Sequence, residues 1–179
     1  HIILLYNTGM RLYNYLSRKK ELFRPLHGKT VGLYTCGPTV YDVAHIGNLR
    51  TYIFEDILRR ALEMAGYSVK HVMNITDVDD KTILRAKERG VSLKELTREY
   101  EKIFLGDLRK LNVKPAWKYP RATEHIRGMI ALVEVLIKKG LAYEKDGSVY
   151  FDISKFKKYG RLSRIEKRQL KTGGRVDAD

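Results

Sequence analysis

Apolar residues come first in short runs of strand length, then in stripes at helical spacing, and finally in a paired alternation around a turn. Residues 31–35 form an apolar run that predicts a buried strand. Gly37 and Pro38 end it, since proline has no N–H to give to a ladder. A helix is expected to open near Gly47 and to run over 49–65. Ile53, Ile57, Leu58, Ala61 and Leu62 share one stripe there, with Glu55, Arg59, Arg60 and Glu63 off it. Gly66 is placed to stop that helix. Residues 69–75 read as a second strand. Strand–helix–strand crossovers almost always give parallel strands of right-handed sense, so the expected class is α/β with a parallel sheet.

The pattern continues with a helix over 82–89, closed by Gly90. Ser92 followed by Glu95 has capping-box spacing and opens a helix running to about Leu111. Pro115, Trp117 and Pro120 interrupt the pattern and mark a candidate boundary. A further helix follows from Ala122, with Ile126, Met129, Ile130, Val133, Leu136 and Ile137 on one stripe and Gly140 at its end. Residues 141–143 and 148–153 read as a hairpin around Asp146-Gly147. Before the first strand, residues 18–23 mix charge with apolar anchors and read as a surface arm, and Gly28 marks a turn.

Chemistry concentrates where the first strand ends, which in open α/β sheets is the ligand side. Cys36 and His45 sit on the loop from strand to helix. A helix start offers unpaired N–H groups and a positive dipole end to an anion. His45 can donate to a phosphate oxygen, and Gly47 lets a ligand approach the backbone. An ordinary loop histidine is the competing reading, because H-x-G alone is a short pattern. Asn74, Thr76 and Asp77 end the second strand on the same side; turn closure is their plainer role. Asp79, Asp80 and Lys81 read as a helix N-terminus stabilised by carboxylates, and His125 as a structural histidine.

Composition narrows the class. The chain has 179 residues, 44% of them hydrophobic, and one cysteine, which excludes an internal disulfide. No apolar run reaches the roughly 18 residues of a membrane span, and residues 1–5 are too short for a secretory core, so a cytoplasmic protein with no membrane partner is expected. Lys and Arg number 35 against 21 Asp and Glu, a net charge of +14 that favours polyanions. Basic residues crowd the end: Lys155, Lys157, Lys158, Arg161, Arg164, Lys167, Arg168, Lys171 and Arg175. A solvated tail and an RNA contact both fit that run.

Longer strings carry a resemblance. Thr35-Cys36-Gly37-Pro38-Thr39-Val40-Tyr41-Asp42 followed by His45-Ile46-Gly47-Asn48 resembles cysteinyl-tRNA synthetases, which are class I aminoacyl-tRNA synthetases. Leu12-Tyr13-Asn14, the run 18–23, Asn74-Ile75-Thr76-Asp77-Val78-Asp79-Asp80-Lys81, Pro120-Arg121-Ala122-Thr123-Glu124-His125-Ile126 and Tyr159-Gly160-Arg161-Leu162-Ser163-Arg164 are similar to the same family, in the same order. The resemblance implies a Rossmann-like nucleotide-binding fold, present as its first half, and the start of a connective insertion. Residues 1–9 are then an extension, 10–118 the first half of the catalytic domain, and 119–179 the beginning of the insertion with its basic tail.

It further implies ATP-dependent activation of L-cysteine and transfer to tRNA(Cys). His45 and Asn48 would be catalytic, with Asn48 in the last place of the HIGH signature. Thr39, His45, Gly47 and Asn48 would meet ATP and its Mg2+, within a signature region of Pro38, Thr39, Val40, Tyr41, Asp42, Val43, Ala44, His45, Ile46, Gly47 and Asn48. Cys36, Gly37 and Thr76 would line the cysteine pocket, and Cys36 would be the first zinc ligand. The sequence departs from the family in having no second cysteine, no later His and Glu ligands and no KMSKS-type loop. The chain by itself is therefore expected to hold zinc weakly and not to charge tRNA, unless a complementing C-terminal chain joins it. Two alternatives stay open: a cysteine–amino-sugar ligase of the same superfamily, and a non-catalytic RNA-binding module derived from the synthetase.

Overall fold

A computed structural model describes residues 9–164. Residues 1–8 of the expected extension, and Lys167, Arg168, Lys171 and Arg175 of the basic tail, lie outside the described residues. The chain forms two compact units, Pro25–Gly128 and a second made of His1–Arg24 with Met129–Asp179. The boundary expected from the sequence falls at 118/119 instead.

In the unit Pro25–Gly128, β3 (Thr30–Thr35) and β4 (Ser68–Met73) pair in parallel, from Thr30 opposite Ser68 to Thr35 opposite Met73. The long helix α1 (Ile46–Met64) is the crossover between them. Gly66, at φ +86, takes the left-handed position just past its end, where a side chain would be strained. The expected parallel unit is therefore present, to within a residue or two at each boundary.

The buried face of α1 differs from the expected stripe. Ile53 and Ile57 are exposed, while Tyr52, Asp56 and Leu62 are buried. Tyr52 meets Phe104 edge to face, with ring centroids 5.0 Å apart. Asp56 is tolerated inside because Oδ1 accepts from Lys114 N at 3.0 Å and Oδ2 from Arg60 Nε at 2.6 Å. A stripe drawn from aliphatic residues alone cannot register a tyrosine and a paired aspartate as the inward positions.

Helices α2 (Asp80–Arg89) and α3 (Leu93–Lys110) follow, each opened by a reciprocal cap at Asp79 and Ser92. Gly90, at φ +63, closes α2. Helix α3 brings Leu96, Tyr100, Phe104 and Leu108 into one core with Val40, Tyr52, Met73, Ile75, Ala86 and Val113. Each large apolar side chain of this kind contributes about 1.5–3 kcal/mol by leaving water.

The stretch expected to be a break is a third extended segment. Residues 117–122 run beside β4 through parallel bridges of Val72 with Lys118 and Ile75 with Arg121. Met73 N donates to Lys118 O at 3.1 Å, Ile75 N to Pro120 O at 2.8 Å, and Ala122 N to Ile75 O at 3.0 Å. Pro120 accepts but cannot donate, so bridges form rather than a continuous ladder.

In the second unit, β1 (Arg11–Asn14) and β2 (Lys19–Leu22) form an antiparallel hairpin. Residues 18–23, expected as a surface arm, are mostly one exposed strand of this hairpin. Asn14 Oδ1 closes the turn by accepting from Leu16 N at 2.9 Å. Strands β5 (Ala142–Lys145) and β6 (Ser148–Phe151) form the expected hairpin, with Asp146 at φ +52 and Gly147 at φ +74. Both central residues at positive φ match the twist of the flanking strands.

Helix α4 (Ile126–Lys138), entered through a 3-10 turn at Ala122–His125, ends before Gly140 as expected. None of its residues is buried; on the expected stripe Val133 and Leu136 reach half-burial. Among the described residues no helix is long and apolar enough to cross a membrane.

Candidate functional site

The loops leaving β3 and β4 stay side by side. Thr76 N donates to Pro38 O at 2.9 Å and Val40 N donates to Thr76 O at 3.1 Å, a parallel bridge centred on Thr39 and Thr76. Asn74 locks the turn between them. Its Oδ1 accepts from Gly37 N at 3.0 Å and from the Tyr34 hydroxyl at 3.1 Å, and its Nδ2 donates to Thr76 Oγ1 at 3.2 Å. Gly37 is required here: a Cβ on it would lie 1.7 Å from the Asn74 carbonyl oxygen. Cys36, Gly37, Thr39 and Thr76 therefore collect at the carboxyl ends of the parallel strands. Asp77 does not join them as turn chemistry. Its oxygens accept from Thr123 N at 2.9 Å and from the Thr123 hydroxyl at 2.5 Å, tying down a segment 46 residues away.

His45 is the N-cap of α1. Its Nδ1 accepts from Gly47 N at 3.0 Å, and its backbone N donates to Asn48 Oδ1 at 3.2 Å. The amides of Asn48 and Leu49 donate to His45 O. The amides expected to receive an anion are thus taken by His45 itself. A Cβ on Gly47 would lie 2.8 Å from the His45 ring, so this glycine makes room for the imidazole. With Nδ1 accepting, the neutral ring carries its proton on Nε2. Asn48 spends its side-chain carbonyl on the cap.

Residues 37–45 and Asn48 line one cavity of about 600 Å³. Cys36, Ile46, Gly47 and Thr76 do not line it. Cys36 is exposed, and its Sγ lies 3.7 Å from Gly37 O. Val40 is fully buried beneath the loop, Val43 and Ile46 are exposed, and Ala44 packs against the core. Asp42 Oδ1 accepts from Val43 N at 2.8 Å. Tyr52, Lys81, Tyr100 and Phe104 complete the lining. Sequence reasoning misses these four: the three aromatics draw no reading, and Lys81 reads as a helix start.

Beneath Cys36 lies a buried polar seam. Thr35 Oγ1 and His71 Nε2 are 2.9 Å apart, and His71 Nδ1 has no hydrogen-bond partner among the described residues. Burial pushes His71 down, with Arg59 adding to this and Asp56 opposing it. Burial raises the Glu55 carboxyl, against a hydrogen bond from Thr35. Tyr52 is pushed up to about 12, first by burial and then by Glu55 and Cys36.

Zinc takes three or four protein ligands. Among the described residues no three His, Cys, Asp or Glu side chains come together in a way that could hold a metal. The donors described here do not fit a zinc ion.

A parallel β–α–β unit and a histidine-capped crossover helix define an α/β domain of the Rossmann-like kind, and the cavity lies at the strands' carboxyl ends, the side on which such sheets take their ligands. Comparison with known proteins places it more closely. The model of the family "tRNA synthetases class I (C) catalytic domain" matches residues 22–179, and the chain belongs to that family. It is 54% identical over 166 residues to a protein named cysteine–tRNA ligase from Brachyspira hyodysenteriae, covering 92% of this chain and 35% of that protein. It is 52% identical over 170 residues to the one from Methanosarcina acetivorans, covering 95% and 36%. The chain thus spans about a third of the length of the curated relatives it matches. A LeuRS from Agrobacterium radiobacter K84, solved in a ternary complex with tRNA and LeuAMS, shares the fold at TM-score 0.58 and 24% identity, over 64% of this chain and 15% of that one.

Proposed function

We propose that the protein carrying this chain activates L-cysteine with ATP and transfers it to tRNA(Cys). The observation that carries the reading is the His45 cap, which leaves Nε2–H as the ring's hydrogen-bond donor on a residue lining the cavity. In the first step an oxygen of the cysteine carboxylate attacks the α-phosphorus of ATP and pyrophosphate leaves. In the second, a hydroxyl of the terminal adenosine of tRNA attacks the adenylate's carbonyl carbon and AMP leaves. Protein help at phosphorus is mostly positioning and charge stabilisation. His45 Nε2–H and the Asn48 amide donate to α-phosphate oxygens as charge builds on them. Gly47 serves by seating the His45 ring, and Thr39 by its tie to Thr76. Cys36, Gly37 and Thr76, gathered at the strand ends, are the amino-acid side of the site. Mg2+ accompanies ATP as its counterion. Zinc, which the family resemblance implies, finds one donor here in Cys36, and no step of this reading depends on it. A cytoplasmic location goes with the reading.

The test is cysteine-dependent exchange of pyrophosphate into ATP by the full-length protein. His45→Ala should lower kcat by about 10²–10³, the usual loss for one donor to a developing charge, with a small change in KM for cysteine. Undiminished exchange in His45→Ala would refute the assignment. Absence of exchange with RNA binding retained would favour a non-catalytic module, and transfer to an amino sugar instead of tRNA would favour the related ligase.

A further inference from the structure

Lys81 is the one Lys or Arg among the described residues lining the cavity that holds His45 and Asn48. It is the second residue of α2, and its backbone N donates to the N-cap Asp79 Oδ1 at 2.9 Å. Its Nζ lies 5.4 Å from the centroid of the Tyr41 ring. Tyr41 is itself a wall of the cavity. Of the other cations on this helix, Arg85 pairs with Glu88 at 3.4 Å and Arg89 with Glu99 at 3.1 Å, and Lys87 does not line the cavity. Lys81 makes no ion pair among the described residues. An aromatic ring holds an ammonium in place without cancelling its charge, so this cation stays available to a ligand.

A nucleoside triphosphate brings several negative charges to a cavity in which His45 Nδ1 is already engaged by Gly47 N. Asp42 adds a carboxylate to the same lining. Among the described residues of that lining, Lys81 is the one cation that offsets Asp42.

We infer that Lys81 is a phosphate-contacting residue of the ATP site, positioned by Tyr41, an inference that rests on the proposed ATP-dependent function. The contact is with the β- or γ-phosphate, so it is felt by ATP and not by adenosine.

The experiment is calorimetric titration of ATP and of adenosine into the full-length protein and its Lys81→Gln, Lys81→Arg and His45→Ala variants. Lys81→Gln should weaken ATP about tenfold, the low end for a hydrogen bond to a charged group, and leave adenosine unchanged. Lys81→Arg should restore ATP binding to within about threefold of the parent. The salt dependence of ATP binding should be shallower in Lys81→Gln than in the parent. Parent-like ATP affinity in Lys81→Gln, beside a loss in His45→Ala, would overturn the role of Lys81 alone. An equal loss for ATP and adenosine would overturn it too, as a structural effect. If the parent protein bound no ATP, the proposed function and this inference would both fall.

Discussion

Replacing Arg121 with Met should be among the most damaging single changes in the unit Pro25–Gly128. Arg121 grips Glu101 through two hydrogen bonds, Nε to Oε2 at 2.9 Å and Nη2 to Oε1 at 2.5 Å. Its guanidinium is pushed further up, first by the bond to Glu101 and then by Glu124. Glu101 is buried at 5% exposure, so removing Arg121 strands a carboxylate inside. Breaking a buried pair in this way costs about 3–5 kcal/mol. The low end applies here: Arg121 retains 23% side-chain exposure, and Arg98 remains 3.7 Å from Glu101. A loss of about 3 kcal/mol lowers Tm by roughly 12–24 °C in a unit of about 100 residues. Differential scanning calorimetry of Arg121→Met, Glu101→Gln and the double variant measures it. The double variant should recover about half the loss, because no buried charge is left unpaired. If Arg121→Met and the double variant melted together, desolvation of Glu101 would not be the cause and the reasoning would fail.

Gly37→Ala should cost about 1–3 kcal/mol, since the added Cβ meets backbone that must shift; a thermal melt equal to the parent's would contradict this. Glu55→Gln should stabilise the protein at neutral pH and lose its advantage in acid. The folded-state value of Glu55 is raised, so its contribution is present below the ordinary carboxylate range and is lost as pH rises through the folded value; denaturant midpoints across a pH series from acid to neutral check the sign. Lys157, Lys158, Arg161 and Arg164 line a hollow of about 400 Å³ with Tyr159, and alanine at Lys157, Lys158 and Arg161 should weaken RNA binding at low salt. The log–log salt slope should fall by about 0.7 for each RNA phosphate that the variant no longer neutralises; an unchanged slope would mean the cluster does not meet RNA.

The strand–helix–strand unit is legible in the sequence because its signals are local. An apolar run, glycines just past helix ends and the Ser92–Glu95 box each act within a few residues. The inward face of α1 is not legible, because one of the two partners that let Asp56 be buried, Lys114, lies 58 residues on. Residues 117–122 mislead for a similar reason: Pro115 just before them and Pro120 within them look like a break, yet Pro120 can still accept from Ile75. The hairpin of β1 and β2 is hidden by its exposed, charged residues, which show no two-residue alternation. At the site, the loop residues stand out through the strings they make. Lys81 and the aromatic walls do not, since nothing in their spacing separates a cavity lining from a core. The His45–Asn48 cap does carry a local signal, a side-chain acceptor followed three residues later by another, as in a capping box.

The segment 117–122 has a kinetic consequence. The two closures cost nearly the same chain entropy, since Thr30 pairs with Ser68 across one helix and Val72 with Lys118 across two at similar separations, but β3 and β4 gain a continuous ladder while residues 117–122 gain only isolated bridges. The parallel pair with α1 should therefore form first, and the Ile75–Arg121 and Asp77–Thr123 ties last. Native-state hydrogen exchange should open in the reverse order, with the amides of Ile75, Ala122 and Thr123 exchanging before those inside the β3–β4 ladder. Thr76 lies between the two tied residues, so each such opening loosens one side of the floor on which Thr39 rests.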